Sequence, residues 1–449
     1  MTLAAFLLSG DLSEGEEFRR ELPKSSFSPG ELARESRCNG RSSTIGDHVV
    51  SSTIHSHPPF ENGEHIRLVA RVKERVKTDI SPVLQIYNNE LDLLDEDDAA
   101  TAPTYSNIQA ALYRHRAKSI PPLPESRAGV TLEGIWTQTD DGREFLCVDD
   151  GEDDRLLLFA TTEMLELLSD ADILFMDGTF FVCPNLWLQV YIIHCLVNGK
   201  MFPVAFALLP NKTKRTYVRL FTLLKDIVVR RLGIELSPEI FQIDYEAAVI
   251  SAISEVFPDS SVRGCLFHYS QALWRQVLER GLSRDYMNNP AVQAHVRRAA
   301  ALPLLPLNQV QDAWFEVIEQ SPDGDRVAAF NDYVTSTWVE DDAKFPAHIW
   351  NQHENTGPRS NNHLEGFHSG LKKRIPRSHP NIYQFVEELK KIEKADRRTR
   401  RQFGLGGARR PRARVDRDRD QRIERLKVQL STGVKFRCSS LMLLATSSS

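Results

Sequence analysis

The chain has 449 residues, of which 41% are hydrophobic and 26% charged, with a formal net charge of -5. That length holds about two to four domains, and the composition is that of an ordinary globular protein with a real core. The balance of charge excludes a global basic footprint, so any nucleic-acid contact must rest on local charge.

In chain order, "MTLAAFLLSGDLSEG" is a short apolar run without a basic n-region, so no signal peptide is expected. Residues 1–60 are rich in Ser, Gly, Pro and charge without a sustained period, and read as mostly loop. Residues 61–130 read as a helical region. It runs from "HIRLVARVKERVKT" through "VLQIYNNELDLL" to an acidic "DEDD". A short helix with a basic C-terminal end follows, stopped by Pro121 and Pro122.

Residues 131–284 have a different texture. "FLCVDD", "RLLLFA" and "ILFMDGTFF" are strand-like runs. "LWLQVYIIHCLVNGKMFPVAFALLP" is two β-rich runs joined at Asn198-Gly199, a strong hairpin signal. Its first half is the longest apolar run, yet Gln189 and His194 interrupt it. No stretch approaches the roughly 18 apolar residues of a membrane helix, so no membrane partner is expected. "TYVRLFTLLKDIVVRRLG" puts Tyr217, Leu220, Phe221, Leu224, Ile227 and Val228 on one helical face and ends at Gly233. "EIFQID" reads as a strand ending in Asp244, and "YEAAVISAISEVFP" as a helix. "SVRGCLFHY" reads as a strand running into the helix "SQALWRQVLERGL". The order predicts an α/β fold with a mixed sheet, β-β-β-α-β-α-β-α.

Residues 285–355 lack strand alternation and carry spaced Trp, Phe and Leu, so an all-helical insertion is expected there. Residues 356–389 resume as a helix at "NNHLEGFHSGLKKRI". Asn361 or Asn362 can cap it, and Leu364, Phe367, His368 and Leu371 keep helical spacing. Residues 390–449 form a basic tail, in which 390–427 hold 16 Lys/Arg against 6 Asp/Glu. That stretch either tracks a phosphate backbone or, with acids interleaved in "VDRDRDQRIER", forms a solvated helical face. Six scattered cysteines, at 38, 147, 183, 195, 265 and 438, point to reduced thiols in an intracellular compartment.

Asp177 stands out inside "ILFMDGTFF". An unpaired carboxylate in such a run costs several kcal/mol, roughly, unless something offsets its desolvation. If its strand pairs side by side with the one ending in Asp244, the two carboxylates approach within a few ångströms and repel unless a cation neutralises them. Carboxylate ligation suits Mg²⁺ or Mn²⁺. A third carboxylate from a later helix, for which Glu365 is the natural candidate, would complete a two-metal site for phosphoryl transfer. The alternatives are a capping role for Asp177, an N-cap at Asp244 and a solvated helix residue at Glu365.

In order and spacing, "ILFMDGTF", "FPVAFALLPNKTKRTYVRLFTLLK", "FQIDYEAAVISAISEVFP", "GCLFHYSQALWRQV" and "NNHLEGFHSGLKK" resemble the Mutator-like element (MULE) transposase domain of the ribonuclease-H-like DDE group. The resemblance covers about residues 100 to 375. It implies a D-D-E triad at Asp177, Asp244 and Glu365, and a C-x-x-H motif at Cys265 and His268. Gly178, Thr179, Asn361, Asn362 and His368 would support that triad. It also implies a ribonuclease-H-like fold, a Mg²⁺ or Mn²⁺ cofactor, DNA ends and target DNA as partners, a homo-oligomer and a nuclear location.

Cys265 and His268 have zinc-compatible spacing, but a structural site wants four ligands; a buried Cys and a hydrogen-bonded His is the alternative. Lys372, Lys373 and Arg374, just after Glu365, are the expected phosphate contacts. "CNGR" and "HSHPP" resemble the second half of a FLYWCH-type zinc finger, with Cys38, His55 and His57 as a ligand remnant. Two rival functions stand beside an active transposase. One is an inactive, transposase-derived DNA- or protein-binding factor; the other is a nuclease acting on RNA–DNA hybrids.

Overall fold

The computed structural model describes residues 42–45, 48–52, 63–79, 81–118, 121, 124–359, 362–375, 378–405 and 414–431. The chain divides into two compact units, Ser13–Pro122 and the remainder. Cys38, His55 and His57 lie outside the described residues.

In the first unit β1 (Ser42–Ile45) and β2 (His48–Ser52) pair antiparallel. Helices α1 (Gly63–Thr78), α2 (Val83–Leu91), α3 (Glu96–Thr101) and α4 (Tyr105–Ala117) follow. Leu68, Val72 and Val76 recur every fourth residue on α1 and pack with Val83 and Ile86 of α2 and Leu112 of α4. Glu90 is buried against this core, and Arg71 and Arg75 hold its carboxylate at 2.9 Å each.

The second unit is α/β. Its strands and helices begin β3 (Leu146–Asp150), β4 (Leu156–Phe159), α5 (Thr162–Ser169), β5 (Ile173–Thr179), β6 (Gln189–Val197) and β7 (Lys200–Leu209). They continue as α6 (Lys214–Leu232), β8 (Ile240–Ile243), α7 (Ala247–Val256), β9 (Ser261–Gly264) and α8 (Leu266–Glu279). Among the described residues these strands form one seven-stranded mixed sheet in the order β3-β4-β7-β6-β5-β8-β9. Neighbours are antiparallel from β3 across to β5 and parallel from β5 to β9.

Local chemistry explains the main elements. Asn198 and Gly199 both have positive φ, 51° and 70°, which a two-residue hairpin turn of the primed type requires. Thr213 caps α6 by accepting from the Thr216 amide, and Gly233 ends it at φ 70°. Strands β6 and β7 are buried along almost their whole length, as befits a sheet covered on both faces. The expected strand "SVRGCLFHY" is shorter than its apolar run. It ends at Gly264, and Leu266 onward is helical. Gly264 lies against the Tyr245 ring, where a Cβ would come within 2.3 Å of it. Helix α5, which the sequence reading did not include, packs on β6 and β7.

Five helices follow: α9 (Ser283–Asn288), α10 (Pro290–Ala301), α11 (Val310–Glu319), α12 (Asp325–Val334) and α13 (Ala347–Trp350). They share a core of Trp314, Phe330, Trp338 and Trp350 with Tyr269 of α8. The indole N–H of Trp314 donates to Thr335 and that of Trp350 to the Trp338 carbonyl, so these two rings are buried with their donors satisfied.

The chain returns to the sheet with α14 (Asn362–Arg374) and α15 (Ile382–Gly404), and α16 (Arg414–Ser431) follows. Phe367 of α14 packs on His194 and Phe206, and Phe403 of α15 on Phe202. Several cations of the basic tail point into the protein. Lys390 and Lys394 pair with Asp140, Arg397 with Asp141, and both oxygens of buried Glu393 accept from the Arg143 Nη2 at 2.9 and 3.0 Å. Among the described residues no helix is long and apolar enough to cross a membrane.

Candidate active site

The site begins with strand register. Parallel β5 and β8 pair Ile173 with Ile240, Leu174 with Phe241 and Phe175 with Gln242. Two residues past that last pair stand Asp177, still within β5, and Asp244, just beyond the end of β8, and the charge of Asp244 is felt at Asp177. Side chains alternate along a strand, so Phe175 and Asp177 lie on one face of β5.

Asp177 is 8% exposed. One of its oxygens accepts the Gly178 amide at 2.8 Å. Burial, then the charge of Asp244, push its carboxyl up to about 7, and Glu365 adds to the rise. Burial also raises Asp244 and Glu365, and Lys212 opposes the rise at both aspartates. Gly178 lets this strand approach its neighbour. A Cβ there would stand 2.5 Å from the Gln189 side-chain oxygen, whose amide nitrogen already donates to the Tyr217 hydroxyl at 2.7 Å.

A cleft of about 560 Å³ opens over Asp177. Asp177, Gly178 and Thr179 form its floor, and Phe180 and Phe181 its rim. From α14 come Glu365, His368, Ser369 and Lys372, spaced i, i+3, i+4 and i+7 along one helical face; α8 adds His268. The His368 Nδ1 lies 3.6 Å from an Asp177 oxygen, beyond a hydrogen bond. Burial and neighbouring cations push His368 down to about 4, so it is neutral at pH 7; burial brings His268 down likewise. Lys372, Lys373 and Arg374 are exposed in the last turn of α14.

The structure therefore gathers Asp177, Gly178, Thr179, Glu365, His268, His368 and Lys372 around one cleft, with Asp244 at the flank of Asp177. Cys265 is fully buried at the N-cap of α8 and is not among the residues lining the cleft. Helix α14 starts at Asn362; Asn361 lies outside the described residues.

Three carboxylates and no soft ligand make a donor set that fits a hard divalent cation. Among the described residues, however, no group of three or more His, Cys, Asp or Glu comes close enough to hold a metal ion.

Sequence reasoning missed Lys212 and the aromatic rim. Lys212 bonds Glu246 at 3.1 Å and sits 4.6 Å over the Phe180 ring. Its position after β7 offered no periodic signal. Phe180 and Phe181 were visible as a pair of large apolar residues just past a strand end.

Residues 173–272 form a MULE transposase domain. No curated protein matches the chain. The MULE domain match runs from β5 into α8, so it contains both aspartates, Cys265 and His268. Glu365 and α14 lie beyond its end, and their place at the cleft is a matter of structure. A transposase domain suggests interaction with DNA.

Proposed function

We propose that the chain is a MULE-type DDE transposase, or a domesticated descendant, that cleaves and joins DNA phosphodiesters. The observation that carries this reading is the electrostatic coupling of buried Asp177 to Asp244 within the MULE domain match, with Glu365 lining the cleft over Asp177. The strand order β7-β6-β5-β8-β9, antiparallel then parallel, supports a ribonuclease-H-like assignment of the sheet.

In this reading Asp177, Asp244 and Glu365 hold Mg²⁺ or Mn²⁺. The ions supply Lewis-acid activation of the attacking water or 3′ hydroxyl and charge neutralisation at the leaving oxygen. The chain's own groups do the rest. The β5–β8 ladder fixes the two aspartates, α14 presents Glu365 beside neutral His368, and Lys372, Lys373 and Arg374 bind phosphates. A nuclear location and self-assembly on paired DNA ends follow from the same reading. Zinc at Cys265 and His268 is part of it only as an additional structural site.

A second reading is a binding factor without catalysis. It is favoured by the lack of a three-ligand cluster among the described residues. A supercoiled-plasmid nicking assay with Mg²⁺ or Mn²⁺ decides between the two. The transposase reading expects nicking by wild type and a loss of at least about a hundredfold with Asp177→Ala, as for loss of a metal ligand. DNA binding without any nicking would establish the binding factor instead. An RNA–DNA hybrid cut faster than duplex DNA would move the assignment to a hybrid-specific nuclease.

A further inference from the structure

The rim of the cleft carries a feature that metal-ion chemistry does not use. Phe180 is 45% exposed directly beyond the floor residue Thr179. Phe181 follows it on the rim. Each ring has a lysine over it: Lys212 at 4.6 Å from the Phe180 centroid, and Lys372 at 5.6 Å from that of Phe181. A flat aromatic face beside an ammonium group matches the two parts of a nucleotide, base and phosphate.

The turn that presents these rings is held firmly. The Cys183 amide donates to the Phe180 carbonyl at 3.1 Å, and the His379 amide to the Phe181 carbonyl at 2.9 Å. The His379 Nδ1 lies 3.0 Å from the Cys183 carbonyl, so that nitrogen carries the donated proton. His379 makes both contacts from a left-handed backbone, φ 52°, which is unfavourable for a residue other than glycine. The cleft itself, about 560 Å³, has the size of a small-ligand pocket.

We propose that Phe180 and Phe181, with Lys212 and Lys372, form a platform that stacks a nucleobase taken out of the duplex beside the phosphodiester at Asp177. This inference rests on the DNA reading of the cleft and adds a substrate requirement to it: a frayed or single-stranded nucleotide next to the cut site. Flat rings accept any base, so the platform selects for strand opening and not for sequence.

The test uses the full chain in Ca²⁺ and two fluorescent duplexes of the same arbitrary sequence. One is blunt and the other has a 5′ overhang of about 5 nucleotides, within the span of a single-strand groove. Wild type is expected to bind the overhang duplex about tenfold more tightly than the blunt one. Phe180→Leu, which keeps an apolar side chain but no flat face, should erase that margin by weakening the overhang duplex more than the blunt one. Phe180→Trp should retain it. A margin that survives Phe180→Leu, or an equal loss on both duplexes, overturns the platform. Wild type that binds both duplexes equally overturns the platform alone. Wild type that binds neither overturns the DNA reading with it.

Discussion

At Asp177 burial and charge repulsion act together against ionisation and outweigh the Gly178 amide bond and the Lys212 charge that oppose them. Its carboxyl titrates at about 7 in the folded chain against an ordinary 3.8. The native state therefore binds the proton more tightly than the unfolded one. Stability is highest when both states are protonated and falls as pH rises between those two values. At about 1.4 kcal/mol per pH unit the full penalty is roughly 4 kcal/mol at neutral pH and above. Asp177→Asn removes the charge and keeps the shape. In buffer stripped of divalent ions, its urea midpoint should exceed that of wild type at about pH 8 and converge on it toward pH 4. A difference independent of pH would show that Asp177 is not the group being titrated. A cation held by these carboxylates reverses the comparison. Mg²⁺ or Mn²⁺ should raise the wild-type midpoint at about pH 8, leave Asp177→Asn nearly unmoved, and lose its effect on chelation.

The elements around the cleft differ in how much room they leave. A Cβ at Gly264 would come within 2.3 Å of the Tyr245 ring, which is wedged against Trp338 and Phe345. The ring has nowhere to go, so Gly264→Ala should cost about 2 to 3 kcal/mol by overpacking. Gly370 lies inside α14 with nothing within 4 Å of its would-be Cβ. Gly370→Ala should stabilise by up to about 1 kcal/mol through helix propensity. Chemical denaturation of the pair checks both signs. The same contrast governs what could be read from the chain. The buried face of α6, its end at Gly233 and the Asn198-Gly199 turn are local effects, and the periodicity shows them. The aspartates were legible because Asp177 interrupts an apolar strand and Asp244 follows directly on another. The end of β9 was not, since "SVRGCLFHY" is apolar enough for either period and the Tyr245 contact decides. Helix α5 is short, and its boundaries leave a weak pattern. The Phe180–Phe181 rim and Lys212 needed the turn after β5 to be placed against the end of β7 and the loop before α15. No spacing in the sequence encodes that.

At the scale of the molecule, helix α15 packs within the α/β unit. Its Tyr383 ring packs at 4.9 Å on Trp136, and Lys390 donates to the Ile135 carbonyl, across about 250 residues of chain. Charges that a count assigns to nucleic acid are partly spent on this seam. Glu393 is its centre: 3% exposed, with both carboxylate oxygens on the Arg143 Nη2 and approached by Arg397 at 3.4 Å. A buried carboxylate with two guanidinium partners is costly to break on one side, because the cations are left without their counter-charge. Arg143 retains Asp141 at 3.1 Å, which softens the loss. Glu393→Ala should therefore destabilise the chain by about 3 kcal/mol, at the lower end for such pairs. The exposed pair Lys391–Glu388 on the same helix sets the comparison, and Lys391→Ala should cost less than about 1 kcal/mol. Urea unfolding at low and high salt separates the two, since screening weakens the exposed pair and leaves the buried one nearly intact. Equal, salt-sensitive losses would mean that α15 is held as a solvated face. A large, salt-insensitive loss at Glu393 alone makes this helix a clamp on the sheet that carries Asp177.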